Sequence, residues 1–155
     1  MHKYLVIVAV TFLVAIGGGF ITEAGLGWYS NLNLPASIPN GNTYSIAWTI
    51  IYILTAISAI LIWTLKLRGN LKKRRKLLTY TFIANAALNL LWSYIFFGMH
   101  NIGLALFEAM FLKISIIALI ILAWPIHRIA AILLIPYLCW VTFASYLTYS
   151  VLILN

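Results

Sequence analysis

Apolar residues run along this chain in five long blocks, not in the short alternating clusters of a water-facing domain. The blocks cover residues 4–22, 44–65, 77–98, 104–124 and 129–154. About 20 residues of helix cross a hydrocarbon core, and each block is of that order. Inside lipid the backbone must close its own hydrogen bonds, which selects helices even where Ile, Val and Thr are frequent. The pattern therefore predicts an all-α membrane protein, one domain over 1–155 folded as a bundle of five transmembrane helices. The connections fall at 23–43, 66–76, 99–103 and 125–128. Only the first is long. No internal repeat, low-complexity segment or linker marks a second domain.

Polar positions interrupt one block in a regular way. In ANAALNLLWSYIFFG (84–98), Asn85, Asn89, Trp92 and Phe96 are spaced 4, 3 and 4 apart. That spacing puts all four on one stripe of a helix. Charge is distributed just as unevenly. Charged residues are only 8% of the chain, against about 25% in soluble domains. Seven of the ten Lys and Arg residues lie between Lys66 and Lys76. Between two apolar blocks, such a run reads as a cytoplasmic loop, with attraction to anionic lipid heads, and not as a nucleic-acid site. The N-terminus with Lys3 and the 125–128 connection with Arg128 then fall on the same inner side. The loops at 23–43 and 99–103 contain no Lys or Arg and fall outside, with the C-terminus. The first block reads as a retained helix, because no clear small-residue cleavage site and polar mature chain follow it.

Other chemistry is sparse. Cys139 stands alone in an apolar run, so no internal disulfide forms and a packed, inert thiol is expected. His2, His100 and His127 show no ligand spacing, so no metal site is expected. Glu23 and Glu108 are the only carboxylates. Lys113 falls mid-helix in the fourth block, where an ionisable group is expensive: a partner on another helix, snorkelling and proton-coupled transport all stay open.

Depth follows from this topology. Asn89, Trp92 and Phe96 lie in the outer half of helix three, and Trp48 and Tyr52 one turn apart near the outer end of helix two. Trp140 lies near the middle of helix five, with Ala144 above it. The glycines Gly17–Gly19 lie in the outer part of helix one. Amides, rings and small residues sharing one depth suit a pocket for a flat, mostly apolar ligand. Each also has a plainer use: Asn85 as an interhelical hydrogen bond, Trp48, Trp63 and Trp124 as interfacial belt residues, the glycines as a close-packing surface.

Four ordered stretches carry a resemblance: WYSNLNLP (28–35), AWTIIY (47–52), NLLWSYIFFG (89–98) and PYLCWVTFA (136–144). Together they resemble the translocator protein family, also called TspO, tryptophan-rich sensory protein or peripheral benzodiazepine receptor, over nearly the whole chain. The resemblance implies a five-helix bundle that forms homodimers. It implies a pocket under the first loop for porphyrins such as protoporphyrin IX, sterols and benzodiazepine-type ligands. Trp48, Tyr52, Asn89, Trp92, Trp140 and Ala144 match pocket or near-pocket positions; Asn85 and Phe96 join them from the stripe. It further implies porphyrin degradation in light, with Trp48 and Trp140 as the participating indoles and no cofactor beyond the porphyrin itself. The first loop departs from the family pattern WYxxLxKPxWxPP at Leu34, Ser37 and Asn40, which removes a cation and a ring. Leu147-Thr148 stands where the family has Leu-Asn, and no basic residue follows Tyr137, Tyr146 or Tyr149 to complete a sterol pattern. A binding or sensing role is favoured over dedicated catalysis, because no acid–base constellation is visible. Transport of porphyrin or sterol is the alternative. A bacterial plasma membrane is the expected location, with the mitochondrial outer membrane as the alternative.

Overall fold

The computed structural model describes residues 2–155, with side chains from Tyr4 onward. The side chains of His2 and Lys3, expected at the inner N-terminus, lie outside the described residues. The chain forms α1 (His2–Tyr29), α2 (Gly41–Thr64), α3 (Gly69–Ser93), a π-helical turn at Tyr94–Gly98, α4 (Ile102–Ala123), α5 (Arg128–Ile132) and α6 (Ile135–Leu154). These make five spans long and apolar enough to cross a membrane: Tyr4–Tyr29, Gly41–Thr64, Gly69–Gly98, Ile102–Ala123 and Arg128–Leu154. Large side chains face outward all around them; Leu13 and Phe20 are 67% and 71% exposed. Only lipid makes such a surface stable, so this is a multi-pass integral membrane protein.

Three features differ most from the sequence expectation, each for a local reason. α1 runs on to Tyr29, because nothing between Glu23 and Tyr29 breaks a helix and the first proline comes at Pro35. Its end is closed by Ser30 Oγ and Asn31 Nδ2, both donating to the Gly27 carbonyl at 2.9 and 2.8 Å. The long loop therefore shrinks to about 30–40, and Glu23, Trp28 and Tyr29 belong to a helix. α3 starts at Gly69 and not at 77, since Lys and Arg end an apolar run but are good helix formers. Gly69 makes the turn with φ +55°. The fifth span is two helices: Pro136, near the start of α6, cannot donate to the preceding turn, and the chain kinks at Leu133–Leu134.

Side chains cap the other ends. Asn40 Oδ1 accepts from Thr43 N at 2.9 Å at the start of α2, Asn101 Oδ1 from Leu104 N at 3.0 Å at α4, and His127 Nδ1 from Ala130 N at 3.2 Å at α5. Asn40, one of the loop departures, thus has a structural use. So does Asn33, whose backbone N–H donates to Asn155 Oδ1 at 2.9 Å and ties the loop to the end of α6.

The helices close a ring in the order α1, α2, α5–α6, α4, α3 and back to α1. We call its two ends the loop end, bearing residues 30–40, and the basic end, bearing Lys66–Lys76. The basic end is the densely packed one: Ile62, Leu78, Leu119 and Leu134 are fully buried there. α1 contributes little core; Val14 is the one large buried apolar side chain it supplies among the described residues. Cys139, expected to be packed, is instead exposed on the outer face of α6.

Candidate ligand-binding site

Near the loop end the ring does not fill with side chains. A cavity of about 610 Å³ remains between all the long helices. Two aromatic pairs line it from neighbouring sides. On α2, Trp48 and Tyr52 stack at 5.5 Å and 29°; on α3, Trp92 and Phe96 stack at 5.1 Å and 11°. Both pairs are i,i+4 neighbours, so helix geometry itself presents them as continuous flat walls. The π-helical turn, in which Met99 N reaches back to Tyr94 O at 2.8 Å, brings Phe97 to the cavity beside Phe96. α1 supplies Gly18 and Gly19, and α6 supplies Ala144 and Thr148, so these walls are thin at those positions.

The floor is polar. Tyr52 Oη donates to Asn89 Oδ1 at 3.0 Å, and Asn89 Nδ2 donates to Tyr137 Oη at 3.3 Å. Both Asn89 and Tyr137 are buried. Replacing Asn89 by leucine is expected to lower stability by about 1 kcal/mol, because the Tyr52 hydroxyl loses its acceptor. Asn85→Leu costs less: Ser115 Oγ, its partner at 2.8 Å, keeps its own bond to the Leu112 carbonyl at 2.7 Å. Chemical unfolding of the purified variants in mixed micelles reads that order.

Of the eight residues the sequence nominated, six line the cavity: Trp48, Tyr52, Asn89, Trp92, Phe96 and Ala144. Asn85 lies below the floor, bridges α3 to α4 through Ser115, and faces a second cavity. Trp140 does not reach the wall either. It packs one layer behind, edge-on to Tyr44 at 5.7 Å and against Phe143 at 5.8 Å, and its Nε1–H is buried without an acceptor. Glu23, Tyr29, Tyr44 and Phe97 line the cavity without having been nominated. Tyr44 was readable, since it extends Trp48 and Tyr52 by one more turn of the same face. Glu23 and Tyr29 reach the cavity only because α1 outruns its apolar block. Trp28 supports the wall from behind, edge-on to Phe96 at 5.6 Å and stacked on His100 at 4.4 Å.

The arrangement can sandwich and orient a flat molecule. It has few means to do polar chemistry: Glu23 is the single carboxylate at the cavity, and Thr148 Oγ1 is turned to its own helix, donating to the Ala144 carbonyl at 2.9 Å. Glu108 is buried in α4 with both oxygens unpartnered, so it forms no pair with Lys113, and neither lines this cavity. Among the described residues no group of three or more His, Cys, Asp and Glu side chains is placed to hold a metal ion.

Comparison with known proteins gives a consistent picture. The model of the TspO/MBR family matches residues 6–154. Protein CrtK of Rhodobacter capsulatus is 34% identical over 129 residues, 83% of this chain and 78% of its own length. Tryptophan-rich protein TspO of Archaeoglobus fulgidus is 31% identical over 158 aligned positions, covering 100% of this chain and 99% of its own. The human translocator protein is 29% identical over 136 residues, 88% of this chain and 79% of its own.

Proposed function

This chain belongs to the TspO/MBR family, and on that premise we propose that it binds a flat, largely apolar tetrapyrrole of the protoporphyrin IX type in the loop-end cavity. The observation that carries the reading is the pair of stacked aromatic walls, Trp48–Tyr52 and Trp92–Phe96, facing one space of about 610 Å³. That volume is in the usual range for a small-molecule site. Ring faces stack on a macrocycle, and thin walls at Gly18, Gly19 and Ala144 leave it room. Tyr52 and Asn89 supply polar groups below it.

Binding is favoured over passage across the membrane, because Tyr52, Asn89 and Tyr137, bonded to one another, stand between the loop-end cavity and the basic end. Light-driven loss of the porphyrin is an added reading in which the excited ligand reacts and Trp48 and Trp92, at the walls, are the oxidisable indoles within contact. Trp140 lies behind the wall and acts only through Tyr44, its neighbour at 5.7 Å. Purified protein titrated with protoporphyrin IX in the dark is expected to show saturable, stoichiometric binding in the porphyrin absorbance. On illumination, Trp48→Phe slows porphyrin loss more than Trp140→Phe does. Unsaturable binding would sink the binding reading; light loss equal in both variants and wild type would sink the photochemical one.

The same reading puts the basic end in the cytoplasm of a bacterial cell, since the loop-end connections carry no Lys or Arg. A cysteine introduced at Ser37 is then labelled by an impermeant maleimide from outside intact cells, and labelling only after lysis would reverse the orientation.

A further inference from the structure

Beneath the Tyr52–Asn89–Tyr137 floor lies a second cavity, of about 540 Å³, toward the basic end between α1, α2 and α3. Its chemistry differs from the first. α1 faces it with Val6, Val10 and Val14 and presents no ring; α2 and α3 line it with Ile51, Ala59 and Ala86 and with the rings of Trp63 and Phe82. Along α3 it extends from Arg75 to Asn89, roughly 21 Å at 1.5 Å per residue. Val6, Val10 and Ile83 are 60%, 47% and 60% exposed on the outside of the bundle while also lining this space, so it is reached sideways from the bilayer between α1 and α3. A long, apolar, laterally open space, aliphatic along α1, suits a single alkyl chain better than a rigid macrocycle.

One end of that space is cationic. Arg75 is half-buried, and one Nη1–H donates to the Leu65 carbonyl at 2.8 Å. A guanidinium has five N–H donors, so most remain for another acceptor. The chain supplies no anion for them: Glu23 is at the loop-end cavity, and Glu108 is buried without a partner. Lys66, Arg68, Lys72, Lys73 and Arg74 crowd the same end and attract anions to it. The far end is closed by Tyr52, Asn89 and Tyr137, which bond to one another.

We propose that this cavity is a second binding site, entered from the bilayer, for a free long-chain carboxylate. The carboxylate sits on Arg75 and the alkyl chain lies along α1 toward the floor. A carboxylate is the head group whose two oxygens match a guanidinium edge. The site is independent of the tetrapyrrole reading and shares only the Tyr52–Asn89 partition with it.

The test uses the full chain in nanodiscs of zwitterionic phospholipid, titrated with cis-parinarate and read by energy transfer from tryptophan. Trp63, which lines the cavity, is the near donor. Transfer is expected to saturate and to be displaced by palmitate. Arg75→Gln weakens the carboxylate about tenfold or more and leaves a fatty alcohol unaffected. Ala86→Trp fills the space and removes binding of both; Val10→Phe, filling it from the opposite wall, serves if the first variant loses its helical circular dichroism. Transfer that never saturates, or saturable transfer unchanged by the filling substitution and by Arg75→Gln, overturns the proposal. Displacement by added anionic phospholipid as effectively as by palmitate also overturns it, and assigns Arg75 to the bilayer head groups.

Discussion

Protoporphyrin IX is expected to bind about a hundredfold more weakly, or not at all, once Ala144 is replaced by phenylalanine. A hundredfold corresponds to about 2.7 kcal/mol. Ala144 lies on the α6 wall of the loop-end cavity, where its methyl group leaves the space open. A phenyl group there enters the slot a macrocycle needs. The neighbours give way poorly: Trp48 is held against Tyr52 and edge-on to Tyr137 at 6.1 Å, and Trp92 is held against Phe96. Because the added ring enters existing empty volume, protein stability is unchanged or rises, which separates lost binding from lost folding. Ala144→Ser, nearly the same size, keeps binding. Dark absorbance titration beside a thermal melt checks both halves, and unimpaired affinity in Ala144→Phe would remove α6 from the site.

Gly25→Ala is expected to destabilise the protein by about 1–3 kcal/mol, the usual range for forcing atoms into filled space. A Cβ built at Gly25 falls 2.5 Å from the Phe97 carbonyl oxygen and 2.7 Å from Phe97 Cβ. The obstacle is backbone, so no side-chain rotation relieves it. α1 and the π-helical turn must separate, and that turn carries Phe96 and Phe97 into the cavity. Ligand affinity therefore falls with stability. Gly19→Ala is the contrast: its Cβ meets nothing within 4 Å. It leaves the melting temperature unchanged or raises it while narrowing the α1 wall. Differential scanning of both proteins in detergent decides, and a Gly25→Ala melt equal to wild type would contradict the close approach.

Five spans were legible because lipid imposes one rule on every segment: about 20 apolar residues, all helical. The helix ends were not, because an apolar run ends where lipid ends, whereas a helix ends where its backbone loses support. Hence Lys72–Lys76 of the basic run became the first turns of α3, and Glu23–Tyr29 the last turns of α1. The Asn85–Phe96 stripe was readable from its helical period, and it does face the bundle interior. What the period could not say was depth: Asn85, one turn below Asn89, falls under the floor and bonds Ser115 instead. Trp140 shows a similar limit. Helical spacing relates it to Ala144 along α6, but only the placement of Tyr44 and Phe143 determines that it stands behind the wall. Of Gly17–Gly19, Gly17 does pack closely, a Cβ there falling 3.3 Å from Leu90 Cδ2, but the tightest approach is at Gly25, since its partner is a π-helical turn the local sequence does not announce.

The site's position is tested most directly by leaving one tryptophan at a time, with the other five changed to phenylalanine, and measuring its quenching by protoporphyrin IX in the dark. Trp48 and Trp92 line the loop-end cavity, whereas Trp124 caps α4 at the basic end. Saturable quenching is expected to be strong for Trp48 alone and Trp92 alone and weakest for Trp124 alone. Quenching of Trp124 as strong as that of Trp92 at saturation would place the porphyrin elsewhere and contradict the loop-end site.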